Sequence, residues 1–213
     1  MSEFDVVVLS LESDEEEVVK VFTESFLTRE PTGLGLSATP SDLLDFFLPV
    51  VNVCLKSGMS LGAKDKVSGK LVGLMLNKVL TPADKSTFDG HVTVVENNKK
   101  VASFQSIFTE VENVVDIFEK FNVQKVLELA LLSVHENQSG KGIGKILIER
   151  SEELGVNNGC ELVNVQATNP ITHAICSKRG YSTYLTYDFA KNKDIDLNKT
   201  QGSKGWFMMA KKL

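Results

Sequence analysis

The chain has 213 residues, 42% hydrophobic and 24% charged, with a formal charge of −5. That length suits one α/β domain spanning 1–213 with a substantial core rather than two very small domains. The modest negative balance argues against nucleic acid as the main partner, and apolar stretches such as Val50–Leu55 and Leu71–Leu76 are too short to cross a bilayer.

In chain order, Asp5–Leu9 is a valine-rich run that predicts a first strand. Ser13 followed by Glu16 fits a capping box, and Val18, Val19, Phe22 and Phe26 continue at helical spacing to about Thr28. Glu30-Pro31 ends that helix, because a residue before proline avoids the helical region. Thr32–Thr39 is rich in Gly and Ser and predicts a mobile loop. A second helix is expected over Ser41–Lys56, with Pro49 the place for a kink. Strands follow at Ser60–Lys64 and Lys70–Leu80 around a Val67-Ser68-Gly69 turn, then a polar insertion, Thr81–Lys100.

Val101–Phe121 carries Phe104, Phe108, Val111, Val115 and Phe118 at helical spacing and predicts one helix. Val126–Val134 is a buried strand, and Ile143, Ile146, Leu147 and Leu154 share one face of the next helix. Leu162–Ala167 alternates as a strand, Ile171–Lys178 is a short helix, and Thr183–Phe189 and Trp206–Ala210 are the last strands. Tight turns join the early strands and helices the later ones, which predicts an α/β (α+β) domain with a mixed sheet.

Met1–Asp5 has neither the basic start nor the apolar run of a signal peptide. Cys54, Cys160 and Cys176 form no CxxC pair, so neither a disulfide framework nor a zinc site is suggested and a reducing cytoplasm is the expected compartment. His91 and His173 have no partner at ligand spacing, and no metal is expected.

The segment Leu131–Lys145 orders a strand, a turn, the Gly140-Lys141-Gly142-Ile143-Gly144 loop and a helix. Unpaired N–H groups and the helix dipole at such a start make an anion site suited to a diphosphate. Glycine lets the anion approach the backbone, and Lys141 and Lys145 add charge. A Walker A loop would need glycine where Ser139 stands and Ser or Thr where Ile146 stands. A dinucleotide fingerprint would need GxGxxG near the chain start. The competing explanation is a turn that merely packs a helix on a strand.

The same segment resembles motif A of the GNAT acyltransferase superfamily, Arg/Gln-x-x-Gly-x-Gly/Ala, with Gly142 and Gly144 in the two glycine places. Asn169, Ala174 and Ser177-Lys178-Arg179-Gly180-Tyr181 resemble that family's closing motif. The resemblance implies a GNAT fold with a sheet splayed at the coenzyme site, and acetyl-CoA as co-substrate. Its binding would fall to Leu132, Ser133 and Val134 along the strand, then Gln138, Ser139, Gly140, Lys141, Gly142, Ile143, Gly144 and Lys145 in the loop. Ser139 departs from the motif's Arg or Gln, and Gln138 sits one place early.

Phe22-x-x-x-Phe26-x-x-x-Glu30-Pro31 resembles the insect-type arylalkylamine (dopamine-like) N-acetyltransferases, where the glutamate before proline is the proposed general base. The match implies Glu30 as base, with Thr168 and Thr172 at the two hydroxyl positions of the proton path. Cys176 replaces the tyrosine that many of the superfamily use as acid; a small core residue is the competing reading. Phe22, Phe26, Phe46 and Phe47 fit either an aromatic amine pocket or the core. The expected activity is acetylation of a small primary amine by a monomer or homodimer without nucleic acid or membrane. The alternatives are a polyamine, peptide or lysine acceptor, and a non-catalytic acyl-CoA-binding protein.

Overall fold

In the computed structural model, which describes residues 3–84 and 98–213, the strands are β1 (Phe4–Val8), β2 (Leu61–Asp65), β3 (Leu71–Leu80), β4 (Val126–Val134), β5 (Leu162–Ala167), β6 (Ser182–Asp188) and β7 (Gly205–Lys212). They form one sheet in the order β1-β2-β3-β4-β5-β7-β6. β4 and β5 run parallel, and the other paired strands run antiparallel. The expected mixed sheet is therefore present. The helices are α1 (Leu11–Val21), α2 (Pro31–Gly35), α3 (Pro40–Lys56), α4 (Lys99–Glu112), α5 (Ile117–Phe121), α6 (Ile143–Asn157) and α7 (Pro170–Lys178). None among the described residues is long and apolar enough to cross a membrane. Most of the Thr81–Lys100 insertion, with His91, lies outside the described residues.

The alternation of each strand divides most of the core between two layers, beside a smaller cluster around Leu80, Val126 and Leu162. One layer joins Leu74, Leu76, Leu131, Trp206 and Met208 to the phenylalanines of α3 and α4. The other joins Met75, Leu127, Leu129, Val163 and Val165 to Ile143, Leu147 and Ile148 of α6.

Four expectations need correction. The first helix starts at Leu11 rather than after Ser13: Ser10 is its cap, and its Oγ accepts from the Ser13 amide at 3.3 Å. Its far end, Phe22–Leu27, widens into a π-helix. The stretch from Thr32 is no loop at its start, because Pro31–Gly35 is a buried helical turn capped by Glu30. Proline at the first helical position and a carboxylate cap outweigh the freedom of Gly33 and Gly35. Val101–Phe121 is two helices, since Asp116 accepts from the amides of Phe118 and Glu119 and restarts the turn. The apolar spacing continues across the break and conceals it. α3, by contrast, runs through Pro49 as one helix.

Two irregularities of β4 shape the site. Against β3 the register jumps from Leu131 opposite Leu76 to Leu129 opposite Asn77, leaving Ala130 as an inserted residue. Against β5 the ladder stops at Leu129 and Val165, although β4 continues to Val134 and β5 to Ala167. The last residues of β4 thus keep one edge free of strand pairing.

Candidate active site

A cleft of about 430 Å³ opens where β4 and β5 part. One half is made of backbone. Leu132, Ser133 and Val134 supply the free strand edge, and Gln138, Ser139, Gly140, Gly142, Ile143, Gly144 and Lys145 continue the wall. Gly140 and Gly142 both have φ of 79°, a conformation that side chains resist. Nothing lies within 4 Å of a Cβ built at either, so backbone geometry and not crowding calls for glycine.

Among the described residues, the amides of residues 140–145 donate to no protein acceptor, whereas those of Gln138 and Ser139 are taken by His135 and Glu136 carbonyls. Open amides at the start of a fifteen-residue helix provide the donors an anionic coenzyme requires, and the residues present fit a diphosphate. Lys141 does not line this wall: its Nζ turns outward to Glu3 at 2.9 Å.

The closing segment holds this half from behind. Asn169 caps α7, accepting from the Ile171 amide. Arg179 grips Glu152 of α6 through Nε and Nη2 at 3.0 and 2.8 Å, and the Tyr181 hydroxyl donates to the same carboxylate. Lys211 of β7 adds a contact at 2.7 Å. Three cationic or hydroxyl groups on one buried carboxylate fix α6, and with it the glycine loop, against the sheet.

The other half is made of side chains. Glu30 caps α2 with its Oε2 accepting from the Gly33 amide at 2.5 Å, while Oε1 accepts from the Thr32 hydroxyl at 2.9 Å. The Thr32 oxygen in turn accepts from Trp206 Nε1 at 2.6 Å. Glu30 is buried at 3% exposure. Burial raises its carboxyl above the usual range, against the lowering influence of the Gly33 and Thr32 hydrogen bonds and of the Thr168 hydroxyl. A carboxylate so buried is a stronger base than an exposed one.

Thr168 and Thr172 line the same cleft, Thr168 within reach of the Glu30 carboxylate. Phe26 and Phe47 form part of the wall with Phe104, Phe108 and Trp206, while Phe22 and Phe46 lie within the core. Glu128 and Gln166 also line it; Glu128 Oε2 accepts from Asn164 at 2.7 Å, and burial pushes its carboxyl up to about 8.

Cys176 is fully buried in the α6 layer, and burial pushes its thiol up to about 12. Its side chain is not among those lining the cleft, which favours the core reading. Among the described residues, no group of three or more His, Cys, Asp and Glu is placed to hold a metal ion. Sequence reasoning missed Thr32, Trp206, Glu128, Gln166 and Arg29. Thr32 alone had a local signal, two places after the capping glutamate.

Comparison with known proteins agrees with this geometry. The fold is similar to that of arylalkylamine N-acetyltransferase 2 from Aedes aegypti (TM-score 0.76, 22% identity, 99% of each chain). It is equally similar to the Drosophila melanogaster polyamine N-acetyltransferase that forms N-acetylagmatine (TM-score 0.78, 19% identity, 98% of this chain and 100% of that one). The C-terminal condensation domain of Ebony, in complex with beta-alanyl-dopamine, superposes with a TM-score of 0.75 at 14% identity over 100% of each chain. No curated protein matches the chain in sequence. The model of the acetyltransferase (GNAT) family matches residues 62–181, more than half of the chain and including the strand, the glycine loop and the closing segment. The chain belongs to that family, and it is an acyl-transferring enzyme.

Proposed function

We propose that the chain, acting as one domain over 1–213, transfers an acetyl group from acetyl-CoA to a small primary amine, an arylalkylamine by preference. The observation that carries this reading is the buried Glu30 carboxylate in the same cleft as the free edge of β4 and the open amides of the glycine loop. An alkylamine with a pKa near ~10 is neutral in only about one part in a thousand at pH 7. Attack on a thioester therefore needs a proton removed, at a cost of roughly 4 kcal/mol that a positioned base offsets.

Glu30 is that base, and the hydroxyls of Thr168 and Thr172 in the same cleft serve the proton path. Acetyl-CoA supplies the activated acyl group. Leu132, Ser133, Val134 and the loop residues Gln138–Lys145 hold it, with Lys141 contributing charge from outside the wall. Amides at the β4 edge polarise the thioester carbonyl, and holding both reactants in one cleft provides much of the rate. The aromatic wall favours an aryl acceptor: Phe26 lies 5.7 Å from Phe47, and Phe108 lies 4.7 Å from Trp206. That choice accords with the arylalkylamine enzyme and the dopamine conjugate among the similar folds.

Release of coenzyme A thiol from acetyl-CoA, measured with arylalkylamines, agmatine, polyamines and a peptide amine, tests the proposal. Turnover led by an arylalkylamine is the expected result. Preference for agmatine or a polyamine overturns the acceptor class, and tight acetyl-CoA binding without turnover of any amine overturns catalysis.

A further inference from the structure

Arg29 is a cleft residue whose position the sequence motifs leave unassigned. It stands two places beyond the π-helical segment, and its Nε donates back to the Ser25 carbonyl at 2.8 Å. Its Nη2 donates to the Val134 carbonyl at 2.5 Å, across 105 positions of sequence. The His135 amide is taken by Val72 on the β3 side, so strand alternation turns the Val134 carbonyl to the edge that β5 has left. Arg29 therefore occupies an acceptor on the edge where a coenzyme arm would add as a strand.

Arg29 is half-buried, and no carboxylate lies within ion-pair distance of its guanidinium among the described residues. Holding a permanent charge away from bulk water on two neutral carbonyls is unfavourable, and an anion relieves it. Among the loop's cationic side chains, Lys145 lines the cleft. Ser139 stands where the family motif carries Arg or Gln, and Lys141 is turned onto Glu3.

Resting on the reading of the cleft as a coenzyme site, we propose that Arg29 is a further coenzyme-binding residue that gives up the Val134 carbonyl to the pantetheine amide and pairs with the diphosphate, supplying the side-chain charge that Ser139 lacks. The exchange conserves hydrogen bonds at the strand edge and replaces a charge–dipole contact with a charge–charge one.

The test is the affinity of wild type, Arg29→Ala and Arg29→Lys for two thioesters, acetyl-CoA and acetyl-pantetheine, the second lacking phosphate. Calorimetric titration serves for binding, with thermal melts to confirm folding. Arg29→Ala is expected to weaken acetyl-CoA about 10- to 100-fold, the span of an ordinary charge-assisted hydrogen bond. It should leave acetyl-pantetheine unchanged or tighter, because the Val134 carbonyl is released, and Arg29→Lys should recover part of the loss. Equal weakening of both thioesters, or of neither, overturns the proposal and leaves Arg29 a strut between the π-helix and β4. If acetyl-pantetheine binds too weakly to titrate, the salt dependence of acetyl-CoA affinity decides: a shallower slope in Arg29→Ala supports the ion pair, and an unchanged slope overturns it. A wild-type protein that binds no acetyl-CoA sinks the coenzyme reading itself, a result separate from any effect of Arg29.

Discussion

The two halves of the cleft are built by different means. On the side of β4 and α6 the contacting groups are main-chain amides and carbonyls, exposed by a strand that loses its neighbour after Leu129 and by a loop with two left-handed glycines. On the side of α2, α3, α4 and β7 they are side chains, those of Glu30, Phe47, Phe104 and Trp206, with the buried Thr32 hydroxyl linking Glu30 to Trp206 from behind. A backbone wall fixes what every acyl donor of one class must share. A side-chain wall can change acceptor without disturbing the sheet. Folds this similar do carry names as different as arylalkylamine and polyamine acetyltransferase.

The comparison is most sharply tested at Glu30. Glu30→Gln should lower kcat at pH 7 by about 100-fold or more, the usual range for loss of a general base, while acetyl-CoA affinity stays within about twofold because the backbone wall is untouched. If Glu30 is the base proposed, it works as the carboxylate. Since burial raises its pKa, the rate should fall as pH drops through that raised value, and this limb should vanish from the residual rate of the variant. A Glu30→Gln enzyme of near-normal activity at neutral pH removes Glu30 from the chemistry.

Gly142→Ala probes the other wall with a smaller effect. The new Cβ meets nothing within 4 Å, but the residue is held at φ 79°. Left-handed backbone costs a non-glycine residue roughly 1–2 kcal/mol, which predicts about tenfold weaker acetyl-CoA binding by titration with kcat at saturation little changed. A loss of kcat without a loss of affinity would contradict the division between the two walls.

The same division governs what the sequence made legible. A backbone site needs particular residue types in consecutive places, so Gly140–Gly144 and the strand before it announce themselves, and Gly142 and Gly144 fall where the family motif requires. The splay was foreseen only through that resemblance, because the Ala130 bulge carries no residue that marks it. The side-chain wall depends on contacts remote in sequence. Thr32 and Trp206 are 174 positions apart, and no local pattern couples them. Composition also misled at Thr32–Thr39. Gly33 and Gly35 are small because Leu43 Cδ1 and Ile195 Cγ2 would lie 2.6 and 2.8 Å from a Cβ there, a packing demand that resembles flexibility in one dimension.

Glu128 is a buried carboxyl in the side-chain wall. Burial, with Glu112 adding to it and Asn164 and Lys78 opposing, pushes its carboxyl from 4.5 to about 8. A raised folded pKa means the native state holds the proton more tightly than the unfolded chain. That stabilising contribution is fully present below about 4.5 and is lost as pH rises through about 8. Glu128→Gln mimics the protonated form at every pH. Its melting temperature should match wild type near pH 4.5 and exceed it by a few degrees, on the order of 5 °C, at pH 9. Equal melting temperatures at both pH values would mean that the carboxyl is not held in a desolvated place.

Cys176 lies behind the backbone wall, and the smallest effect is expected there. Its side chain is fully buried among α6-layer residues, and its thiol is pushed up to about 12. Cys176→Ala removes one buried sulfur and should cost about 1 kcal/mol, seen as a drop of about 2–4 °C in melting temperature. If the residue only fills space, kcat for the best amine should stay within about twofold across the pH range. A rate loss that grows as pH rises, with stability unaffected, would instead identify a proton donor in the layer assigned here to packing, and the clean separation of a backbone wall from a side-chain wall would no longer describe the chemistry.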